Sequence, residues 1–202
     1  MLELTTGLGL AASAGLNAWI PLLVVGLLAR YTDLITLPEQ WEWLSNGWVL
    51  TIIAVLLAIE LVADKVPVVD SLNDVLQTVI RPTAGGLVFS AGAASETVTV
   101  SDPGDLFDDR GWLPIVIGVV IALVVHAGKA LIRPVLNTMT LGIGAPVVST
   151  AEDTTSLLMS LAAIIVPLLV IGLLVGLVVL WWWALRRRRR RRATRRTSPS
   201  TG

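Results

Sequence analysis

The stretch Trp112-Leu-Pro-Ile-Val-Ile-Gly-Val-Val-Ile-Ala-Leu-Val-Val-His-Ala-Gly-Lys-Ala-Leu-Ile132 decides the fold class of this chain. As a helix it is long enough to cross a bilayer core, which takes about 20 residues. Three more apolar stretches are as long or nearly so: Leu8–Ala29, Trp48–Ala63 and Leu157–Leu185. The pattern predicts an all-α integral membrane protein.

The composition of the 202 residues supports this class. Apolar residues make up 54% of the chain and charged residues only 15%, whereas soluble domains carry about 25% charged residues. A soluble globule of this composition would lack the polar residues to cover its surface. A disordered chain is excluded too, because disorder goes with low hydrophobicity.

Two shorter apolar segments are interrupted. Leu72–Ser95 contains Arg81-Pro82, and Val135–Val148 contains Gly142, Gly144 and Pro146. Broken segments are tolerated at membrane depth only where protein or a water-filled cavity covers the freed backbone groups. We predict that both cross the membrane as short or broken passes, which gives about six passes in total.

The charge distribution predicts the orientation. Nine of the fifteen basic residues lie between Arg186 and Arg196, and basic flanks stay on the cytoplasmic side. The linkers 31–47 and 96–111 are acidic and are expected outside. With six passes both termini are cytoplasmic; with four passes the linker 96–111 would be cytoplasmic instead, and this alternative stays open.

Residues 1–185 are therefore predicted to form a polytopic membrane domain, and residues 186–202 a basic, disordered cytoplasmic tail. The tail directly follows a tryptophan-rich helix end, a position typical of segments that bind anionic lipid head groups. We expect lipid contacts, and no nucleic-acid contacts, from Arg186, Arg187, Arg188, Arg189, Arg190, Arg191 and Arg192.

An internal repeat is one interpretation of a pattern that recurs at an offset of 64 residues. Its copies are Gly47-Trp48, Lys65, Leu72-Asn73, Pro82 and Gly111-Trp112, Lys129, Leu136-Asn137, Pro146. Repeats of this kind build many transporters. The other interpretation is chance similarity in a chain rich in leucine and valine.

Polar residues in or beside the apolar stretches are the candidate site. Glu60 and Asp64 are four apart and share a helix face, and an ionisable group in a membrane segment is costly enough to indicate function. His126, Lys129 and Arg133 also share a face, and this cluster can bind an anion or neutralise Glu60 and Asp64 across the bundle. The candidates for binding an ion or solute are Glu60, Asp64, Lys65, Asp70, His126, Lys129, Ser149, Glu152 and Asp153.

Each of these candidates also has a purely structural interpretation. Asp64 and Lys65 can pair at a helix end, with Lys65 reaching to the interface. His126, Lys129 and Arg133 can be an ordinary basic cluster at the cytoplasmic face. Ser149-x-x-Glu152 has the spacing of a helix capping box. The sequence leaves both interpretations open.

Three stretches resemble hallmark segments of one family: Ala14-Gly-Leu-Asn-Ala-Trp-Ile-Pro21, Ala63-Asp-Lys-Val-Pro-Val-Val-Asp70 and Pro146-Val-Val-Ser-Thr-Ala-Glu-Asp153. The family is a bacterial membrane family catalogued as domain of unknown function 4126. The resemblance covers about residues 5–180 and implies a multi-pass protein of the bacterial inner membrane. It implies no activity, and the arginine tail is not part of its pattern.

The leading functional hypothesis is a transporter or channel for a small solute or ion, with an intramembrane carboxylate site. The alternative is a non-transporting membrane scaffold or a lipid-interacting accessory protein. An enzyme is not expected, because the chain has one histidine, no cysteine and no compact metal-ligand motif. We therefore predict no cofactor and no metal site, and the lipid bilayer as the main partner.

Overall fold

The computed structural model describes residues 2–65, 67–97, 112–140, 144–166, 172–183 and 186. For Leu2, residues 67–72, Asp74 and Asn137 it describes the backbone only. Three parts of the predictions therefore lie outside the described residues: the side chain of Asp70, the loop 98–111, and the tail from Arg187 onward.

The described residues are almost entirely helical, as predicted. The helices are α1 (Leu2–Leu16), α2 (Trp19–Tyr31), α3 (Gly47–Ala63), α4 (Pro67–Ala93), α5 (Trp112–Met139), α6 (Ala145–Ile165) and α7 (Gly172–Trp183), with a 3-10 helix at Glu39–Ser45 before α3. Two short strands, β1 (Ile35–Thr36) and β2 (Glu96–Thr97), pair antiparallel with Ile35 opposite Thr97.

This strand pair joins the two acidic linkers at one end of the bundle, which we call the ribbon end. Between the strands, α3 runs away from the ribbon end and α4 returns to it. The expectation that both linkers lie on the same side therefore agrees with their described parts. The opposite end, where α3 finishes and α6 begins, we call the charged end.

The first apolar stretch forms two antiparallel helices where a single span was expected. In α1, Gly7 packs on Phe89 near the ribbon end, and the carbonyl of Leu16 lies at the charged end. The chain turns at Asn17, whose Oδ1 accepts hydrogen bonds from the backbone N–H groups of Trp19 and Ile20 at 3.1 and 3.3 Å. In α2 the chain returns to the ribbon end.

Of the two interruptions predicted inside apolar segments, one is found and one is not. The break expected at Gly142, Gly144 and Pro146 is confirmed, because α5 ends at Met139 and α6 starts at Ala145. The helix α4 continues through Arg81-Pro82, so the break expected there is wrong. The predicted stretch Leu157–Leu185 is not one helix, because α6 starts at Ala145 and ends at Ile165. Val166 has φ −141° and ψ 73°, outside the helical region, and it precedes Pro167, which disfavours helical geometry in the residue before it.

The central contact of the bundle is between α4 and α5. A Cβ atom added to Gly85 would lie 2.8 Å from the Gly118 carbonyl oxygen. One added to Gly118 would lie 2.5 Å from Phe89 Cβ. Two facing glycines thus let the helix backbones approach closely, as small residues do in membrane helix pairs. The helices α1 and α6 complete a core that contains Leu10, Phe89 and Met159.

The bundle carries apolar side chains outside and charged ones inside. On α3, Ile59 is 59% exposed and Val62 68%, whereas Glu60 between them is 2% exposed. On α5, Val120 is 52% exposed and Lys129 5%. Soluble proteins almost never bury such residues unless they are paired.

Within the described part of the chain, length and composition identify one helical stretch that could cross a membrane, Trp112–Leu136, with a mean hydropathy of 2.5. The 3-10 helix and α3 pass the same test together and would form a second candidate span, although the chain bends by 59° between them. Six passes are therefore not confirmed.

The residues matched by the predicted repeat lie in different settings. Lys65 is exposed just after α3, whereas Lys129 is buried within α5. Pro82 lies inside α4, whereas Pro146 is in the first turn of α6. By contrast, Trp48 and Trp112 both lie exposed in the first turn of a helix, so the described structure agrees with the repeat at the helix starts and not at the lysines or prolines.

Candidate functional site: a buried charge network

Six charged side chains meet in the bundle, from its middle to the charged end. We call them the charge network; they are Glu60, Asp64, Arg81, Lys129, Arg133 and Glu152. They come from the end of α3, the middle of α4, the second half of α5 and the first half of α6. Three cations face three carboxylates, so the network is formally neutral.

The innermost pair is Arg81 with Glu60. Arg81 Nη2 lies 2.8 Å from Glu60 Oε1, and the two side chains are 0% and 1% exposed. Arg81 Nη1 lies 3.2 Å from Nδ1 of His126. Because a guanidinium only donates, Nδ1 accepts, which leaves the proton on Nε2 to be donated to Thr78 Oγ1 at 3.1 Å.

Asp64 is the hub of the network. Its Oδ2 lies 3.4 Å from Arg133 Nη2, 3.7 Å from Lys129 Nζ and 3.9 Å from Arg81 Nη2. Its Oδ1 accepts a hydrogen bond of 2.8 Å from Asn73 Nδ2. This single carboxylate thus links the inner Arg81 pair to the two cations nearer the charged end.

Glu152 closes the network from α6. Its Oε2 lies 2.8 Å from Arg133 Nη2 and 3.0 Å from Lys129 Nζ. Its side chain is 15% exposed, the most accessible of the six. Lys129 also donates to the carbonyl of Leu16 at 3.1 Å, one of the carbonyls that the end of α1 leaves without a helical partner.

A second group of polar contacts joins α1 to α6. Asn17 Nδ2 donates to Asp153 Oδ1 at 2.9 Å. Ser13 Oγ lies 2.7 Å from Ser156 Oγ and 2.6 Å from Ser160 Oγ. These contacts fix the turn between α1 and α2 against the helix that carries Glu152.

The structure brings most of the predicted residues together. Glu60, Asp64, Lys129 and Glu152 are members of the network, and His126 touches it through Arg81. Asp153 lies next to Glu152 and binds Asn17. Ser149 is fully buried one turn earlier on α6.

Lys65 does not belong to this group. It is exposed, and its Nζ donates to the carbonyl of Leu61 at 2.8 Å. The expected pairing of Asp64 with Lys65 is therefore not found; Asp64 contacts cations from α4 and α5 instead. The capping-box interpretation is wrong as well, because Ser149 and Glu152 lie inside α6, which begins at Ala145.

Arg81 and Asn17 are the important residues that the sequence reasoning missed. Arg81 was interpreted with Pro82 as a helix interruption. The available signal was its position in an apolar segment, where any arginine is itself an intramembrane charge that needs a partner. Asn17 gave a weaker signal, as a residue that commonly caps helices.

Several buried oxygens have no hydrogen-bond partner among the described residues. They are Glu60 Oε2, Gln77 Oε1, Ser149 Oγ and Asp153 Oδ2. Buried acceptors of this kind bind water or a cation readily. In the same part of the chain, no group of three or more His, Cys, Asp or Glu side chains is placed to hold a metal ion.

The geometry of the network permits exchange of partners. Asp64 has three cations within 4 Å, and Lys129 and Arg133 each have two carboxylates within that distance. If a proton or a bound ion neutralised Glu152, Lys129 and Arg133 would still be paired with the Asp64 carboxylate. One carboxylate can thus lose its charge without leaving a buried cation unpaired.

A cavity of about 430 Å³ lies beside the network, between α5 and α7. Its lining is mostly apolar, with Val125 and Ile132 from α5 and Leu177 and Trp181 from α7. Lys129 and Glu152 reach its wall. A volume of this size is within the usual range for small-molecule sites, about 300–1,000 Å³.

Fold and site together define an all-helical bundle with a charged interior and an apolar exterior. The chain belongs to the family described as domain of unknown function (DUF4126), whose model matches residues 4–187. The family suggested by the sequence motifs is thereby confirmed. Comparison with curated proteins and with solved structures finds no match.

Proposed function

We propose that this protein is a multi-pass protein of the bacterial inner membrane that moves a small cation or proton, alone or with a solute, through its helical bundle. The charge network is the proposed site. The observation that carries the proposal is the burial of six charges inside a bundle whose outer surface is apolar.

Membrane placement explains this distribution of residues. Only 22% of the most apolar window of α5 is buried inside the bundle, whereas the core helix of a soluble protein would be mostly covered. Exposed apolar surface on this scale marks contact with a membrane or a partner. Lipid would cover the outward faces of α3 and α5, and the charges would avoid lipid by facing inward.

The proposed orientation places the charged end in the cytoplasm. The helix α7 runs toward this end, and Arg186 and the following arginines are basic flanks that stay on the cytoplasmic side. The acidic ribbon end is then external. Because α1 begins at the ribbon end, its start is external as well, and this replaces the expectation that both termini are cytoplasmic.

The proposed route starts at Glu152, the most accessible member of the network. From His126 to Arg133 the network follows α5 over about 10 Å, at a rise of about 1.5 Å per residue. A proton or cation that binds Glu152 weakens its pairs with Lys129 and Arg133, which shift toward Asp64. A further ligand is available deeper in the bundle, where Glu60 Oε2 lacks a partner among the described residues, and Ser149 Oγ offers another one turn nearer the start of α6.

The second candidate is a non-transporting scaffold or lipid-interacting accessory protein. Every charged side chain of the network is within 4 Å of an opposite charge, and such mutual pairing also suits a purely structural role. In that case the network would hold α3, α4, α5 and α6 in register, and no ion would pass.

Flux measurements on proteoliposomes separate the two candidates. The purified full chain is reconstituted with a dye inside that reports the ion under test, H⁺, Na⁺ or K⁺, and a gradient of that ion is applied. We expect flux of one of these ions in the wild type and at least a tenfold lower rate in Glu152→Gln, as is typical when a positioned acid–base group is removed.

The matched control is Glu42→Gln, the same change at an exposed glutamate of the ribbon end. It should leave flux unchanged. Equal flux in the wild type and Glu152→Gln would remove the network from the mechanism. An absence of flux for all tested ions would favour the scaffold.

A further inference from the structure

We infer that Asp153 and Ser149, at the contact between α1 and α6, form a binding site for one monovalent metal cation, Na⁺. We call it the sodium site. It lies beside the charge network and contains none of its six members. The site itself does not depend on ion flux; only a role of the bound Na⁺ in transport would rest on the proposed function.

The Asp153 carboxylate is satisfied at one oxygen only. Its Oδ1 accepts the hydrogen bond of 2.9 Å from Asn17 Nδ2. Its Oδ2 is buried and has no hydrogen-bond partner among the described residues. In that part of the chain, no lysine, arginine or histidine lies within 4 Å of this carboxylate, whereas two cations contact the neighbouring Glu152.

Ser149 supplies a second free oxygen on the same face of α6. Its side chain is 0% exposed, and its Oγ also lacks a hydrogen-bond partner among the described residues. Residues four apart on a helix are neighbours, with about 5–6 Å between their Cβ atoms. Further along this face, Ser156 and Ser160 contact Ser13 of α1. Two oxygens without partners therefore lie one turn apart on the face that α6 turns toward α1.

The end of α1 favours a positive charge at this place. The helix ends at Leu16, directly before the Asn17 that contacts Asp153. The last carbonyl groups of a helix lack helical partners and carry partial negative charge. In several transporter folds, carbonyls at interrupted helices coordinate Na⁺ in this way. The end of α1 thus offers carbonyl oxygens as further ligands.

The charge count selects a monovalent cation. The network is formally neutral, and Asp153 adds one more carboxylate to this part of the bundle. Asp64 and Lys129 act on Asp153 electrostatically with opposite signs, and Lys65 adds a smaller positive contribution from an exposed position. Buried charges in proteins are paired or bind metal ions. One Na⁺ would balance the extra carboxylate, whereas Ca²⁺ takes roughly six to eight oxygens and commonly several carboxylates.

The two free oxygens also favour a metal ion over a proton. Asp153 Oδ2 and Ser149 Oγ are not hydrogen-bonded to each other, since neither has a partner among the described residues. A proton on Oδ2 would neutralise the carboxylate but leave the Ser149 oxygen unsatisfied. A cation between the two oxygens would bind both.

Thermal unfolding of the purified full chain in detergent tests the site. The midpoint is measured at pH 8, where ordinary carboxyl groups are ionised, over a series of NaCl concentrations with choline chloride keeping the ionic strength constant. Each tenfold increase in Na⁺ above the dissociation constant should raise the midpoint by about 3–5 °C. Equal midpoints in NaCl and choline chloride would overturn the inference. A midpoint that rises on acidification and ignores Na⁺ would assign the site to a proton and overturn it as well.

Two variants locate the Na⁺ response. Asp153→Asn should abolish it, and Ser149→Ala should weaken the Na⁺ affinity about tenfold, as is usual when a group around a metal is lost. The matched control is Asp33→Asn, the same change at an exposed aspartate of the ribbon end, which should keep the full response. A full response in Asp153→Asn would contradict the site.

Binding of ²²Na⁺ to the wild-type chain does not depend on how any variant folds. We expect saturable binding of one Na⁺ per chain, which unlabelled NaCl displaces and choline chloride does not. An absence of saturable binding would overturn the inference. Saturable binding without flux in proteoliposomes would refute the proposed transport and support the site, whereas proton flux without Na⁺ binding would do the reverse.

Discussion

Arg81 and Glu60 show at the scale of single residues why the network must be complete. Both side chains are buried, and each is the nearest opposite charge of the other. Removing one partner of a buried ion pair costs about 3–5 kcal/mol, because the remaining charge stays in a poorly solvating environment. Replacing both partners avoids most of that cost.

We therefore predict that Arg81→Gln lowers the thermal unfolding midpoint in detergent strongly. The double variant Glu60→Gln/Arg81→Gln should recover most of the loss, since neither site then holds an unpaired charge. A single variant as stable as the wild type, or a double variant less stable than both single variants, would contradict the pairing.

Asn17 has two roles that can be measured separately. It caps α2 and also donates to Asp153. Asn17→Ala should therefore cost more than the roughly 1 kcal/mol of a lost cap. Asn46 caps α3 at an exposed position, accepting from the Trp48 N–H at 2.9 Å, so Asn46→Ala is the matched control and should cost only the cap.

Unfolding midpoints of these two variants give the comparison. Both variants lose a helix cap, so a larger drop of the unfolding midpoint in Asn17→Ala than in Asn46→Ala reports the contribution of the Asp153 contact. If Asn46→Ala is as destabilised as Asn17→Ala, the contact between α1 and α6 contributes nothing.

The sequence revealed the carboxylates of the site more readily than their partners. Glu60 and Asp64 stand out because their spacing places them on one face of an apolar helix. Arg81 pairs with Glu60 across 21 residues of sequence, and only the packing of α3 against α4 determines that pairing. Lys65, the partner close in sequence, was expected and is not used, whereas Lys129, which was expected to neutralise the carboxylates across the bundle, does lie 3.7 Å from Asp64.

At the scale of elements, the contact between α4 and α5 depends on Gly85 and Gly118. We predict that Gly85→Val destabilises the bundle by about 1–3 kcal/mol, the usual cost of overpacking, because its side chain meets Ala122 and the Gly118 carbonyl. Gly172→Val on α7, where no atom lies within 4 Å of an added Cβ, is the control. Equal unfolding midpoints for the two variants would show that α4 and α5 are not closely packed.

Helix breaks were predicted only in part: the interruption at Gly142, Gly144 and Pro146 separates α5 from α6, but the one at Arg81-Pro82 does not exist. Proline was the sequence signal, but Pro82 lies within a continuous α4, while the chain breaks before Pro167 at Val166. A proline tells where a helix can bend; the surrounding contacts determine whether it does. The turn at Asn17 carries no proline, and its stability comes from side-chain hydrogen bonds that the sequence does not display.

In the molecule as a whole, the paired strands place the described parts of the two acidic linkers at one end. We predict that Asp33 is external and that Thr138, an exposed residue at the other end of α5, is cytoplasmic. Single cysteines can be placed cleanly because the native chain has none. An impermeant maleimide should label Asp33→Cys in intact cells and Thr138→Cys only after the membrane is opened; the reverse pattern would invert the orientation.

Labelling at Val120 shows whether the apolar exterior of the bundle faces lipid, as proposed, while its charges face inward. Val120 projects from the middle of α5 and is 52% exposed. In isolated membranes opened on both sides, a water-soluble maleimide should label Asp33→Cys fully and leave Val120→Cys unlabelled, since lipid excludes the reagent. Labelling of Val120→Cys at the same rate as Asp33→Cys would show that this face meets water and would rule out the proposed membrane placement.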